Sequence, residues 1–103
     1  MTAIDPIIPK LLKIKQRDQE GRLTAIMGEM RDLERKLLEL SKERANLDAR
    51  DDGFARLSVE NGYLRYLSHR QDLLTARITN LKEQAKTVQA ELRKTVFSAS
   101  ALQ

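Results

Sequence analysis

Side chains that could carry out chemistry are few in this sequence, and none of them forms a recognisable catalytic or metal-binding set. Histidine can ligate a metal ion or transfer a proton, but His69 is the single histidine and has no second ligand nearby. Cysteine is absent, which excludes disulfides and thiol chemistry. The chain also lacks a glycine-rich phosphate loop and a nucleophile elbow. We therefore expect a protein that is not an enzyme and that uses no metal and no cofactor.

The composition favours long helices over a thick globular core. The chain has 103 residues, enough for one small domain, and aromatic residues make up only 4% of them. Hydrophobic residues reach 41%, which suits a narrow core of leucine, isoleucine, methionine and alanine between helices. No apolar run approaches the roughly 20 residues that span a bilayer, so we expect no membrane insertion. The first residues lack the pattern of a signal peptide, and we expect a cytoplasmic protein.

Helix breakers divide the chain into two long helices joined by a hinge. Pro6 and Pro9 stand near the beginning, where the first turn of a helix tolerates proline, and Asp5 is the expected N-cap. The clearest break is Asp51-Asp52-Gly53, and a weaker one is Asn61-Gly62. We predict one domain, 1–103, with a helix over about 6–50, a hinge over about 51–56, a helix over about 57–97 and a frayed tail over 98–103.

Apolar residues recur with alternating spacings of three and four in both halves of the chain. This heptad pattern predicts an all-α fold, an antiparallel two-helix coiled-coil hairpin. The seam residues are Leu23, Ile26, Met30, Leu33, Leu37, Leu40 and Leu47 in the first half, and Leu57, Leu64, Leu67, Gln71, Leu74, Ile78, Leu81, Ala85, Val88 and Leu92 in the second. Extending the first register backwards adds Gln19, Gln16 and Leu12.

In an antiparallel helix pair, the numbers of two residues that face each other in one layer add up to a constant. Two values of this sum fit the heptads of the chain, and each value defines one register of the hairpin. A sum of 104 centres the turn on Asp52 and sets Arg44 opposite Glu60, so that two seam charges can neutralise each other. A sum of 111, one heptad away, matches Leu47 with Leu64. The seam charges favour 104, although both sums satisfy the heptads.

The open end of the hairpin, opposite the hinge, is predicted to be basic and partly apolar. Residues 1–22 carry five basic and three acidic groups, and residues 77–103 carry five and two. Several apolar residues near this end lie off the seam, and an exposed apolar patch more often marks a partner than an accident. Self-association and local packing of the chain ends are the alternatives. The patch consists of Ile7, Leu11, Ile14, Phe97 and Leu102.

A second off-seam stripe, which we call the tyrosine stripe, runs along the outside of the second helix. It holds both tyrosines of the chain, and tyrosine and arginine are enriched at binding hot spots. The alternative is that the tyrosines cover the seam near the hinge. The stripe consists of Tyr63, Tyr66, Arg70, Leu73 and Arg77.

Two segments resemble the FliJ/YscO family of flagellar and type III secretion export proteins. Leu11-Leu12-Lys13-Ile14-Lys15-Gln16-Arg17-Asp18-Gln19-Glu20 is similar to the opening of the family, where Leu-Leu-Lys precedes a charged helix. The second segment, Tyr63-Leu64-Arg65-Tyr66-Leu67, is similar to the aromatic-leucine stretch early in the family's second helix. The resemblance covers most of the chain.

The resemblance implies a hairpin similar to the central stalk subunit of rotary ATPases. It implies that the open end docks into the hexameric export ATPase and promotes its assembly, and that the protein also contacts the export-gate protein and secretion chaperones. The residues matched to the ATPase-docking end are Leu11, Leu12, Lys13, Ile14, Lys15 and Arg17, and the apolar patch adds Ile7 and Phe97.

In the same way, the resemblance assigns the tyrosine stripe to contacts with the export gate and chaperones. Tyr66 takes the place of the family's aromatic residue. Arg70, Leu73 and Arg77 depart from the leucine, alanine and histidine of flagellar members. This departure favours a member from a virulence or symbiosis secretion system.

Two other functions stay open. The hinge can open to give a homodimer, which would make the protein a structural coiled-coil scaffold. The basic end can also bind nucleic acid or another anionic surface. Its basic residues, in 10–17, are followed at once by Asp18 and Glu20, however, whereas DNA-binding coiled coils carry dense basic runs without acids. We therefore expect no nucleic-acid partner.

Overall fold

The chain folds as an antiparallel two-helix coiled-coil hairpin. The computed structural model describes the backbone of residues 7–48 and 54–101, and the side chains of residues 7–47 and 62–101. These residues form helix α1, Ile7–Asp48, and helix α2, Phe54–Ala101, with no strand among them. The all-α fold expected from the heptads is therefore confirmed.

Both helices run without interruption because little in their sequences opposes helix. Pro9 lies in the first turn of α1, where its missing N–H costs no intrahelical hydrogen bond. No residue in the described parts of the chain has a positive φ angle or a cis peptide bond. The weak point expected at Asn61-Gly62 does not break α2, whose hydrogen-bonded turns pass through it.

The helix bounds differ slightly from those expected. Helix α2 begins at Phe54, inside the predicted hinge of about 51–56, and it ends at Ala101 rather than fraying from Ser98. The longer end has a packing reason, since Thr95 is buried and Ala99 is half-buried, so the seam continues past Leu92. The predicted N-cap and the Asp-Asp-Gly break lie outside the described residues.

The hairpin comprises two compact units, each built from a segment of both helices. The open-end unit pairs residues 7–29 of α1 with residues 81–101 of α2, and the hinge unit pairs residues 30–48 with residues 54–80. Each unit has its own stretch of the seam.

Among the described residues, the seam of the hinge unit is mostly apolar, apart from Arg44 and Gln71. Leu67 is fully buried, at 0% exposure, and four further residues of this seam are leucines that are half-buried on α1. Burial of such side chains is the main stabilising term in a core this narrow, at about 25 cal/mol per Å². The buried residues of this unit are Met30, Leu67, Leu74 and Ile78, and the half-buried leucines are Leu33, Leu37, Leu40, Leu47 and Leu64.

The seam of the open-end unit mixes apolar and polar side chains. Leu81 is 1% exposed, but so is Gln19, and Thr95 is 4% exposed. Ala85 and Val88 complete the buried set on α2. Each of these polar and small side chains buries less apolar area than a leucine at the same position would.

Contacts between the helices decide the register. In the hinge unit, Arg44 Nη1 donates hydrogen bonds to Ser68 Oγ at 3.2 Å and to Gln71 Oε1 at 3.3 Å. Gln71 Nε2 in turn donates to Ser41 Oγ at 3.2 Å. These residue pairs have sums of 112 and 115, which lie closer to a layer sum of 111 than to 104. One further contact between the helices, from Tyr63 to Glu43, has a sum of 106 and joins neighbouring layers through the long tyrosine side chain.

The sequence-based preference for the 104 register is therefore wrong. Arg44 contacts Ser68 and Gln71, whereas that register set it opposite Glu60. The physical reason is the polar network: a sum of 111 gives Gln71 both a donor and an acceptor across the helices, and a sum of 104 places it opposite Leu33. One satisfied network of neutral and charged groups outweighs one exposed ion pair.

Candidate interaction surfaces

The apolar residues expected at the open end of α1 are exposed. Ile7 is 59% exposed, Leu11 58% and Ile14 64%. Spacings of four and three place them on one face of the helix. Ile8, at 48%, extends the surface at the start of α1. This face is available to a partner in the isolated chain.

Basic side chains surround this apolar face. All four cations of residues 7–17 are exposed, and this segment contains no carboxylate. Acidic residues begin only at Asp18 and Glu20. The segment thus combines an exposed apolar stripe with a local charge of one sign. Its cations are Lys10, Lys13, Lys15 and Arg17.

Leu12 and Phe97 occupy different places from the rest of the proposed docking residues. Leu12 is half-buried in the seam, so it supports the fold as well as bordering the surface. Phe97 is 76% exposed, the highest value among the large apolar side chains in the described residues. It lies midway between the seam positions Thr95 and Ala99, and therefore points away from α1.

Ile14 has the matching position on α1, midway between two seam residues, and it points away from α2. A layer sum of 111 puts Ile14 and Phe97 at the same level of the open-end unit. The expected single patch is thus two apolar faces on opposite outer sides of the helix pair. Sequence spacing placed each residue off the seam but could not tell on which side of the hairpin it falls.

The tyrosine stripe is exposed, and its first member, Tyr63, contacts α1. Tyr66 is 55% exposed, and its ring stacks on that of Tyr63 with centroids 6.1 Å apart and an interplanar angle of 20°. The Tyr63 hydroxyl donates a hydrogen bond to Glu43 of α1. Leu73, at 51%, and the exposed Arg70 continue the stripe. Arg77, its last member, is exposed as well.

The Glu43 contact changes the chemistry of Tyr63. The hydrogen bond from Tyr63 to Glu43 raises the pKa of the Tyr63 phenol, and desolvation and the negative charge of Glu43 act in the same direction. Sequence reasoning missed Glu43, because only the register brings this carboxylate beside the stripe. A shallow groove of about 210 Å³ adjoins it, lined by Lys36, Glu39, Leu40, Glu43, Arg70 and Leu74.

A further surface, which we call the polar groove, lies on one flank of the open-end unit. It has a volume of about 340 Å³ and follows the line where the two helices meet. Its floor includes the buried Gln19. In the sequence, the only indication of this groove was a polar residue, Gln19, at a seam position. The lining residues are Leu12, Lys15, Gln19, Arg22, Glu91, Lys94, Thr95 and Ser98.

These features define a helical-hairpin protein that presents exposed apolar, basic and aromatic surfaces. Within the part of the chain that the structure describes, no group of three histidine, cysteine or acidic residues could hold a metal ion. Among the same residues, neither helix is apolar enough over a sufficient length to cross a membrane. No protein-family model, curated protein or solved structure matches the chain.

Proposed function

We propose that this protein is the central stalk of the hexameric export ATPase of a type III secretion or flagellar system. In this role it promotes assembly of the ATPase and links it to the export-gate protein and to secretion chaperones at the cytoplasmic face of the apparatus. It acts by binding and is not an enzyme. The resemblance of residues 11–20 and 63–67 to the FliJ/YscO family motivates the proposal.

The observation that carries the proposal is the pair of apolar faces at the open end. Ile14 and Phe97 lie at one level and point to opposite outer sides of the helix pair. A partner on one side would cover only one of these faces, whereas a ring that encloses the helices covers both. Complete burial of each such side chain is worth about 1.5–3 kcal/mol.

Charge supports the same geometry. The cations of residues 7–17 have no carboxylate among them and flank the apolar face of α1. A hydrophobic sleeve with an acidic rim would match both features. The tyrosine stripe belongs to the other unit, and we assign it to the export gate and chaperones, where stacked tyrosines beside Arg70 supply contacts of the hot-spot type.

The test is the hydrolysis of ATP by the export ATPase of the same cell, titrated with this protein, while ring assembly is followed by sedimentation. The wild-type chain should raise the rate in a saturable way and increase the amount of hexamer. The double variant Leu11→Asp/Ile14→Asp should abolish both effects and keep the helicity seen by circular dichroism. Leu38→Asp is the matched control, because Leu38 is 55% exposed in the hinge unit.

The outcomes separate the proposal from its rivals. An unchanged rate and unchanged assembly with the wild-type chain would contradict the stalk function and favour a structural scaffold. Loss of helicity in the double variant would mean that Leu11 and Ile14 belong to the fold. If Leu38→Asp abolished ATPase stimulation and hexamer assembly as well, any acidic substitution on an exposed face would have the same effect.

A second candidate function is supported by the run of cations in residues 7–17. Four exposed cations without a carboxylate, beside an apolar stripe, can also bind an anionic surface. Affinity for an anionic surface that falls steeply with salt and is unchanged by Leu11→Asp would favour this function. Binding that is lost with Leu11→Asp would favour the stalk.

A further inference from the structure

The polar groove of the open-end unit contains a buried hydrogen-bond acceptor without a donor. Gln19 is 1% exposed, and its Oε1 atom has no hydrogen-bond partner. The nearby Thr95 hydroxyl cannot serve, because it donates to the Glu91 carbonyl oxygen at 3.1 Å. A buried acceptor left in this state costs free energy, and a ligand's donor would recover it once the Gln19 side chain turns toward the groove.

The walls of the groove carry unbalanced positive charge. Lys15 and Lys94 line it, and within the described residues neither has a carboxylate partner. The one carboxylate of the groove, Glu91, lies 3.6 Å from Arg22, which also contacts Asp18 at 3.4 Å. The two lysines therefore remain available to acidic groups of a ligand.

The groove continues along the same flank onto an apolar floor. A second depression of about 290 Å³ shares Arg22 and Glu91 with the first and has Ile26 and Val88 on its floor. Along α1 the floor residues Leu12, Gln19 and Ile26 recur every seven residues. A surface that repeats at this interval fits the side chains of another α-helix.

We propose that the polar groove binds an acidic amphipathic helix of a partner protein, which turns this part of the hairpin into a three-helix bundle. Apolar residues of that helix cover Leu12 and Ile26, its carboxylates pair with Lys15 and Lys94, and one amide or hydroxyl donates to Gln19 Oε1. The groove shares Leu12 and Lys15 with the docking end, but Gln19 and Lys94 are not among the residues assigned to that end, so the inference goes beyond the stalk function.

The orphan acceptor favours a helix over a phosphate ligand. A phosphodiester group would neutralise the lysines but has itself no hydrogen to donate to Gln19 Oε1. An acidic helix supplies both the charge and the donor. The groove is narrow and runs between two helices, so a third helix can place its side chains in it, whereas a flat membrane surface cannot enter it.

The experiment uses a fluorescent synthetic peptide of about three heptads, with leucine at the core positions, glutamate beside them and one central glutamine. Its binding to the full chain is followed by fluorescence anisotropy. A second peptide with lysine in place of glutamate is the charge control, and a single-stranded oligonucleotide serves as a phosphate competitor. The wild-type chain should bind the acidic peptide saturably and the lysine peptide not at all.

Three variants locate the binding. Lys94→Glu should weaken binding of the acidic peptide by about tenfold or more, because it places a carboxylate against carboxylates. Lys82→Glu, the matched control, should change it by less than about twofold, since Lys82 follows the seam residue Leu81 on the other flank of α2. Leu11→Asp/Ile14→Asp should weaken peptide binding less than Lys94→Glu does, because neither Leu11 nor Ile14 lines the groove.

Gln19→Leu tests the orphan acceptor. It should raise the melting temperature of the isolated chain and weaken peptide binding severalfold. A higher melting temperature with unchanged affinity would show that Gln19 takes no part in binding and would overturn this contact. The whole proposal is overturned if the acidic peptide does not bind, if Lys94→Glu binds it as well as wild type does, or if the oligonucleotide displaces it completely.

Discussion

Arg44 of α1 and Gln71 of α2 are joined across the hairpin by a hydrogen bond of 3.3 Å from Nη1 to Oε1. The Gln71 amide nitrogen donates a second hydrogen bond, to Ser41 Oγ. Both the oxygen and the nitrogen of the Gln71 amide are therefore hydrogen-bonded to α1. An alternative register would satisfy the apolar heptads equally well. The polar side chains near the hinge therefore specify the alignment of two apolar stripes.

The first prediction concerns this alignment. The chain has no cysteine, so an introduced pair reports the register without interference. Leu37→Cys/Leu74→Cys should form a disulfide on mild oxidation, because a layer sum of 111 sets these residues opposite each other. Leu37→Cys/Leu67→Cys, the pair for a sum of 104, should stay reduced. The measurement is thiol titration after oxidation of the monomeric fraction, and the reverse pattern would contradict the register.

The second prediction uses a glycine inside α1. Gly28 is helical, and a Cβ atom built there has no other atom within 4 Å apart from the local helix. Gly28→Ala should stabilise the chain by about 1 kcal/mol, because alanine loses less backbone entropy in a helix. Thermal unfolding should then shift upward by roughly 4 to 8 °C.

A reciprocal substitution is the control for this effect. Ala25→Gly changes an exposed position three residues away on the same helix and should lower the melting temperature by a similar amount. If Gly28→Ala instead lowered the melting temperature, a second chain would have to pack against this position in solution.

The third prediction compares a buried leucine with an exposed one. Leu81 is 1% exposed, so Leu81→Ala should destabilise the chain by about 2–5 kcal/mol through lost burial and the cavity left behind. Leu38 is 55% exposed, and Leu38→Ala should change the stability by less than about 0.5 kcal/mol. Urea unfolding followed by circular dichroism measures both. A large loss in Leu38→Ala would indicate that a homodimer covers this side chain.

The fourth prediction concerns pH. The hydrogen bond to Glu43 raises the pKa of Tyr63 above its ordinary value of 10.0, so the folded chain holds this proton more tightly than the unfolded chain does. The bond therefore contributes its full stability below about pH 10 and loses it as the pH rises through the folded-state pKa. The absorbance of tyrosinate should appear at higher pH for Tyr63 than for a free tyrosine.

The matching variants isolate this contribution. The stability difference between wild type and Tyr63→Phe should shrink as the pH rises above about 10 and the phenol of the folded chain ionises. Tyr66→Phe is the matched control, because it keeps the hydrogen bond from Tyr63 to Glu43. A constant difference for Tyr63→Phe across this range would mean that the bond is not made in solution.

The sequence by itself determined the two helices and the faces that they bury. Spacings of three and four from Leu23 to Leu47 and from Leu64 to Leu92 fix which side of each helix is apolar, because helix geometry is local. The same local rule placed Leu11 and Ile14 off the seam, and they are exposed. The prediction of the buried faces ended the seam of α2 too early. Thr95 and Ala99 extend this seam, but a polar and a small residue are not recognised as seam positions from sequence.

Only the tertiary structure decided which residues of one helix meet those of the other. A heptad pattern repeats every seven residues, so it cannot distinguish two registers that differ by one heptad. The choice lies in contacts such as that of Arg44 with Gln71, which join residues far apart in the chain. The opposite sides occupied by Ile14 and Phe97, and the groove around Gln19, follow from that register because each requires both helices to be in place.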